Sequence, residues 1–169
     1  KRVQVEPHLS VTGGCSAEWV PIKTKTDAAF MFAMIHVMVH QNRRERLDIQ
    51  FLKDHSSAPY LVAPNGFFTR HPESRKPLMW DLKSGRAVPF DTPDIDPALD
   101  GEFAVGGLEL GADEDSWTHT GAACKPSFAM LADHVKDLTP EWAGGICDVA
   151  PETIRRIANE YLDHARIGA

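Results

Sequence analysis

Cysteine is scarce in this sequence, and what there is cannot build a metal centre. Cys15, Cys124 and Cys147 stand far apart, with no Cys-x-x-Cys pair among them. Zinc sites and iron–sulfur clusters draw on closely spaced thiolates, so neither is expected from this chain alone. The three thiols read as free and buried, acting as small apolar side chains. Cations are in the minority too: 18 Lys and Arg against 24 Asp and Glu, a formal net charge of -6. Phosphate backbones are held by clustered Lys and Arg, so a nucleic-acid partner is not expected. The one short basic run, Arg43, Arg44 and Arg46, is closed by Asp48 and reads as a solvated helix end. Long apolar runs are missing as well. The longest, residues 28–39, is interrupted by His36 and is too short to span a bilayer.

What is present is the material of a folded domain. Apolar residues make up 43% and charged residues 25%, so the chain can bury a core rather than remain disordered. Its 169 residues fit one domain. It opens on Lys1 in strand-like residues and stops soon after a helix, as expected of a piece cut from something larger.

Residues 2–6 alternate and carry two valines, which predicts a strand; residues 18–22 predict a second, with Pro21 at its edge or end. Thr24, Lys25, Thr26 and Asp27 then form a capping-box-like helix start. The helix that follows is apolar nearly all round, so it should be buried on most faces, with Met31, Met34 and Met38 in its core row. Strand, loop, strand and buried helix is α/β grammar. A short helix is expected over 47–54. From Ser56 to Gly121 the character changes to turns and prolines. Asn65-Gly66 predicts a hairpin on a type I′ turn, and Lys83-Ser84-Gly85 a second hairpin; residues 91–115 are acidic and aperiodic. Helical spacing returns at Phe128, Leu131, Ala132 and Val135. Thr139 with Pro140 starts a further helix, and Pro151 starts the last, whose stripe is Ile154, Ile157, Ala158 and Tyr161.

The order of these pieces resembles the molybdopterin oxidoreductases of the dimethyl-sulfoxide-reductase type. Glu6-Pro7-His8 stands where that family has Asp-Pro-Arg at a strand end. Lys25-Thr26-Asp27-Ala28-Ala29 stands where it has Gly-Thr-Asp-Ala-Ala opening a helix. Residues 138–143, with Thr139-Pro140-Glu141-Trp142-Ala143, and residues 149–155, with Pro151-Glu152-Thr153-Ile154-Arg155, are similar to two later family segments. The likeness covers roughly residues 1–53 and 123–169, with a looser one at 58–62. It implies a partial three-layer αβα, Rossmann-like nucleotide-binding domain over 1–53 and 123–169, with a hairpin-rich insertion over 54–122.

The same resemblance implies the cofactor, a bis-molybdopterin guanine dinucleotide around one molybdenum. This segment would grip the guanosine end of one dinucleotide at the carboxyl end of its strands. Asp27 is the expected acceptor for the adjacent N1–H and amino donors of guanine. Lys25 and Thr26 would line the same pocket, and Glu6, with Pro7 and His8 beside it, would receive ribose hydroxyls or base. Two departures stand out: Lys25 replaces the family's Gly, removing backbone freedom and adding a cation, and His8 replaces an always-charged Arg. The molybdenum ligand and the cysteines of a 4Fe-4S cluster have no match here. Expected partners are the remainder of the same catalytic polypeptide, a ferredoxin-like iron–sulfur subunit, and in some relatives a membrane anchor. Substrates in view are an acyl-CoA thioester or a sulfur or arsenic oxyanion; residues 58–90 most resemble the phenylacetyl-CoA:acceptor oxidoreductase branch.

Plainer readings stand beside these. Residues 24–27 could simply cap a helix. His36 and His40, one turn apart, lack the glutamate of His-Glu-x-x-His and read as structural, although a metallohydrolase site would use the same spacing. His119, between Thr118 and Thr120, reads as an exposed loop residue. Trp80 and the acidic segment could meet a partner subunit or merely pack. A stand-alone α/β nucleotide-binding or protein-interaction module without redox activity is the alternative for the whole chain.

Overall fold

The computed structural model describes residues 1–105 and 122–165. In chain order the elements are β1 (Val3–Glu6), α1 (Val11–Gly14), β2 (Glu18–Pro21), α2 (Asp27–His40) and α3 (Ile49–His55). There follow β3 (Leu61–Val62), β4 (Leu78–Asp81), β5 (Arg86–Pro89), β6 (Phe103–Val105) and β7 (Ala122–Pro126). Helices α4 (Ser127–Val135), α5 (Pro140–Cys147) and α6 (Pro151–His164) complete the chain. The class is mixed α/β, as expected. The chain forms two compact units, Lys1–Asp48 with Ala132–Ala169, and Ile49–Leu131. Among the described residues no helix is long and apolar enough to cross a membrane.

In the first unit β1 and β2 pair in parallel, Val3 against Glu18 through Glu6 against Pro21. Parallel neighbours need a crossover between them, and residues 7–17 supply it with the single turn α1. The core lies under this pair. Val20 and Ile22 meet Phe30, Ala33, Met34 and Val37 of α2, then Ala143 and Cys147 of α5 and Ile154 and Ala158 of α6. Three alanines at the helix contacts, Ala33, Ala143 and Ala158, are fully buried. Small side chains at these points let the helices approach closely.

The histidines of α2 close this unit. His36 Nδ1 lies 2.9 Å from the Val135 carbonyl and His40 Nε2 lies 2.8 Å from that of Ala132. A carbonyl only accepts, so both ring nitrogens donate. Their targets belong to the last turn of α4, whose carbonyls have no partner within the helix. The His pair thus caps α4 from the side, the structural reading of this spacing. Each ring thus commits one nitrogen to a backbone carbonyl, and among the described residues no group of three or more potential ligands could hold a metal ion.

Other differences from expectation have local causes. Met34 is buried and Met38 half-buried, but Met31 is 52% exposed, so the methionine row leaves the core at its first member. Cys124 and Cys147 are buried free thiols as expected, whereas Cys15 is exposed at the end of α1. Arg46 is no solvated helix end: its guanidinium reaches Asn159 and Asp163 on α6 at 2.6 Å each. The last helix buries Leu162 rather than Tyr161, which is 59% exposed.

In the second unit β3, β7 and β6 form an antiparallel sheet and β4 with β5 a hairpin. The Asn65-Gly66 turn forms a hairpin, but not of type I′. Ala63 bonds Phe67 and Gly66 bonds back to Ala63, so Pro64 and Asn65 occupy the turn and Gly66 alone takes a left-handed φ of 87°. A type I′ turn centred on Asn65 and Gly66 needs positive φ at both, which Asn65 does not take, and Pro64 lacks the N–H that would close that two-residue loop, so a three-residue loop ending in glycine forms instead. Leu61, Ala63, Leu78, Val105 and Cys124 make the core here, with Trp80 stacked on Phe103 at 4.5 Å. Asp81, 5% exposed, accepts from Ser84 Oγ at 2.6 Å and from the amides of Ser84, Lys83 and Asp96. His119 and the acidic residues after Val105 lie outside the described residues.

Candidate nucleotide-binding edge

Because β1 and β2 run in parallel, their carboxyl ends share one edge of the sheet. The chain leaves β1 through Pro7 and His8, and leaves β2 through residues 22–26 into α2. The register therefore brings the two expected groups, residues 6–8 and 25–27, to the same edge. Loops at this end of a parallel sheet are where such folds hold nucleotides, since helix N-termini point there.

The loop into α2 is shaped by one residue. Lys25 has a φ of 65°, the left-handed region that a side chain disfavours. That is the conformation for which glycine is suited, and it explains the glycine of the resembled motif at this position. The kink makes Thr26, not Thr24, the residue that caps α2. Its hydroxyl turns away from the helix and donates to the Lys23 carbonyl at 2.6 Å, so the expected capping box does not form. With no side-chain cap, the amides of Asp27 and Ala28 have no partner among the described residues. Asp27 is exposed, and its carboxylate likewise has none. Lys25 and Thr24 are exposed beside it. The helix start offers two open N–H donors, an acceptor pair and a cation within four residues.

Glu6 is in a different state. Its Oε1 accepts from the Ser10 amide at 2.9 Å and the Ser10 hydroxyl at 2.7 Å, and Gln4 reaches Oε2 at 3.4 Å. These bonds, the Ser10 amide first, hold its carboxyl below the usual range. Ser10 Oγ in turn accepts from the Gly13 amide, capping α1. A Cβ at Gly13 would meet Glu6 Oε1 at 2.3 Å, so a larger residue there would push the Glu6 carboxylate out of its place. No sequence expectation covered this assembly, although Ser10 three residues ahead of Gly13 is a capping pattern. Glu6 is thus partly engaged by its own loop, and no hydrogen bond among the described residues joins it to residues 25–27. Pro7 and His8 are exposed. Trp19 Nε1 donates to the Glu6 carbonyl at 3.1 Å and fixes the strand end, while Leu9 and Val11 are exposed close by in sequence.

Comparison with known proteins found relatives along most of the chain. It is 29% identical over 178 aligned residues to a sulfite dehydrogenase subunit of Allochromatium vinosum, covering 97% of this chain and 17% of that protein. It is 27% identical to the alpha subunit of the dimethylsulfide dehydrogenase of Rhodovulum sulfidophilum, covering 94% of this chain and 18% of that protein. It is 24% identical to the alpha subunit of the perchlorate reductase of Dechloromonas aromatica, covering 95% of this chain and 20% of that protein. No protein-family model matches the chain. The chain therefore spans about a fifth or less of these relatives' length. The matches bear out the likeness, read from the order of its motifs, to catalytic subunits of the molybdopterin oxidoreductases.

Proposed function

We propose that this relative of the molybdopterin oxidoreductase catalytic subunits grips the guanosine end of one molybdopterin guanine dinucleotide, as one segment of a longer molybdenum-dependent enzyme. One observation carries the reading: an exposed, unpartnered carboxylate, Asp27, at an uncapped helix start on the carboxyl edge of a parallel strand pair.

The donor set fits the group. Guanine presents N1–H and its amino group side by side, and a carboxylate can accept both. The open amides of Asp27 and Ala28 and the Lys25 ammonium suit an anionic neighbour such as a phosphate oxygen. Glu6 keeps lone-pair capacity on Oε2 for a ribose hydroxyl, although Ser10 already takes part of it. When bound, the cofactor would supply the redox-active metal; these residues bind and orient its distant nucleotide end and take no part in bond making. The enzyme's activity belongs to the whole polypeptide.

Residues 1–53 and 123–169 are read as the cofactor-binding part and 54–122 as an insertion. The name sulfite dehydrogenase favours a sulfur oxyanion over an acyl-CoA thioester as the substrate class. The relatives are each one subunit of an enzyme, which supports further subunits in the assembly here; an iron–sulfur electron carrier and a membrane anchor are the proposed kinds.

The test is the full-length polypeptide carrying Asp27→Asn. The amide replaces one acceptor oxygen with a donor that opposes the guanine N–H groups. Guanosine nucleotide released by acid and metal-bound pterin should both fall at least about tenfold, the equivalent of roughly 1.4 kcal/mol in binding. Unchanged nucleotide content in a folded Asp27→Asn protein overturns the proposal.

A further inference from the structure

We infer that Ser10 is a positioning residue of the nucleotide edge: it fixes the Glu6 carboxylate so that Oε2 is held ready for a ribose hydroxyl. This rests on reading residues 6–8 and 25–27 as the guanosine site, and it gives a role to a residue outside both groups. Ser10 directs both of its donors to Glu6. Its amide reaches Oε1 at 2.9 Å, and its hydroxyl lies 2.7 Å from Oε1 and 3.0 Å from Oε2. A hydroxyl carries one proton, so the last two contacts are a single bond shared between the oxygens and leaning toward Oε1. Oε1 thus holds two donors. Oε2 holds the lesser share of one, with the side-chain amide of Gln4 out at 3.4 Å. A carboxylate has about four lone-pair directions, so the spare capacity lies on Oε2.

Two further features converge on the same group. Gly13 leaves the space that Oε1 fills, since a Cβ there would lie 2.3 Å from it. Trp19 Nε1 donates to the Glu6 carbonyl at 3.1 Å, so the backbone that carries the side chain is tied to β2. Ordering a free glutamate at the moment of binding costs affinity, and here the loop has ordered it beforehand. The same bonds, the Ser10 amide first, favour the charged carboxylate, the better acceptor for neutral hydroxyl donors. Helix capping alone does not account for the arrangement. To cap α1, Ser10 needs only to accept from the Gly13 amide, which it does at 3.1 Å. Its own amide and hydroxyl proton are not required for that, and both go to Glu6.

The test uses the full-length polypeptide and reads the rate at which the folded protein loses guanosine nucleotide on dilution. Ser10→Asp separates the two roles, because aspartate caps a helix as well as serine does but its carboxylate repels Glu6. Nucleotide should leave this variant at least about tenfold faster, the scale of one hydrogen bond to a charged group. Ser10→Thr keeps both cap and hydroxyl and should stay within about threefold of the parent. In a Glu6→Ala background, Ser10→Asp should add no further acceleration, since the carboxylate it acts through is gone. Should Ser10→Asp not fold, Gly13→Ala serves in its place: alanine favours a helix, yet its Cβ displaces Glu6, and the same acceleration is expected. A parent rate in Ser10→Asp or in Gly13→Ala overturns the proposal, and so does an undiminished effect of Ser10→Asp without Glu6. The outcome is separable from the contact made by Asp27. Nucleotide lost from Asp27→Asn but held at the parent rate by Glu6→Ala sinks only the role of Ser10. Faster loss from Ser10→Asp with nucleotide retained by Asp27→Asn sinks only the role of Asp27.

Discussion

Lys25 offers the sharpest energetic test of how the loop into α2 is built. Its φ of 65° brings Cβ close to the following carbonyl, at a cost of about 1–2 kcal/mol for a residue that is not glycine. Its side chain is exposed, so little packing compensates. Glycine removes the steric cost but adds about 0.4–1 kcal/mol of unfolded-state entropy to be lost on folding. The net expectation for Lys25→Gly is a gain of roughly 0.5–1 kcal/mol. With a urea slope of about 2 kcal/mol/M, the unfolding midpoint should rise by about 0.3–0.5 M. Lys25→Ala keeps Cβ and should stay within about 0.5 kcal/mol of the parent. Lys25→Pro cannot adopt positive φ and should lower stability by more than about 1 kcal/mol. Circular dichroism during urea titration of the three variants decides the matter. A Lys25→Gly protein no more stable than Lys25→Ala would refute the left-handed loop, and with it the account of why glycine suits this position.

The remaining expectations concern the caps and the core. His36→Leu leaves the buried Val135 carbonyl without its donor and should cost about 1–3 kcal/mol in urea unfolding; a neutral outcome would mean that His36 does not cap α4. Ile154, fully buried among α2, α5 and α6, should lose about 2–5 kcal/mol as Ile154→Ala, and a loss under about 1 kcal/mol would contradict a tight core there. The Asp81 carboxyl is held far below its ordinary value, first by the Ser84 hydroxyl and then by the Asp96 amide. A depressed folded pKa gives stability that is complete above the unfolded value near ~3.9 and is lost as pH falls below it. Acid titration should therefore loosen the 81–96 region below about pH 4, and Asp81→Asn should flatten that dependence. An equally steep acid loss in Asp81→Asn would assign it to other carboxylates.

How far the sequence carried the fold depends on where the decisive contacts lie. Helices α2, α5 and α6 were legible because Thr139-Pro140 and Pro151 mark the starts of the last two and the long apolar run of α2 is local. Both strands of the parallel pair were legible for the same reason. The turn at Asn65-Gly66 was misread in type because Pro64, one residue earlier, has no N–H to close a two-residue loop, which the dipeptide pattern ignores. The capping box at Thr24 failed because a single left-handed residue, Lys25, rotates the chain between the would-be cap and its partner; backbone sign is not written in side-chain pattern. Glu6 was legible as a strand-end carboxylate, but its engagement by Ser10 depends on a turn whose geometry only the folded loop shows. Met31 and Tyr161 were expected in a core because their helical spacing is right, and they are exposed because spacing tells which face a residue shares, not whether anything covers that face.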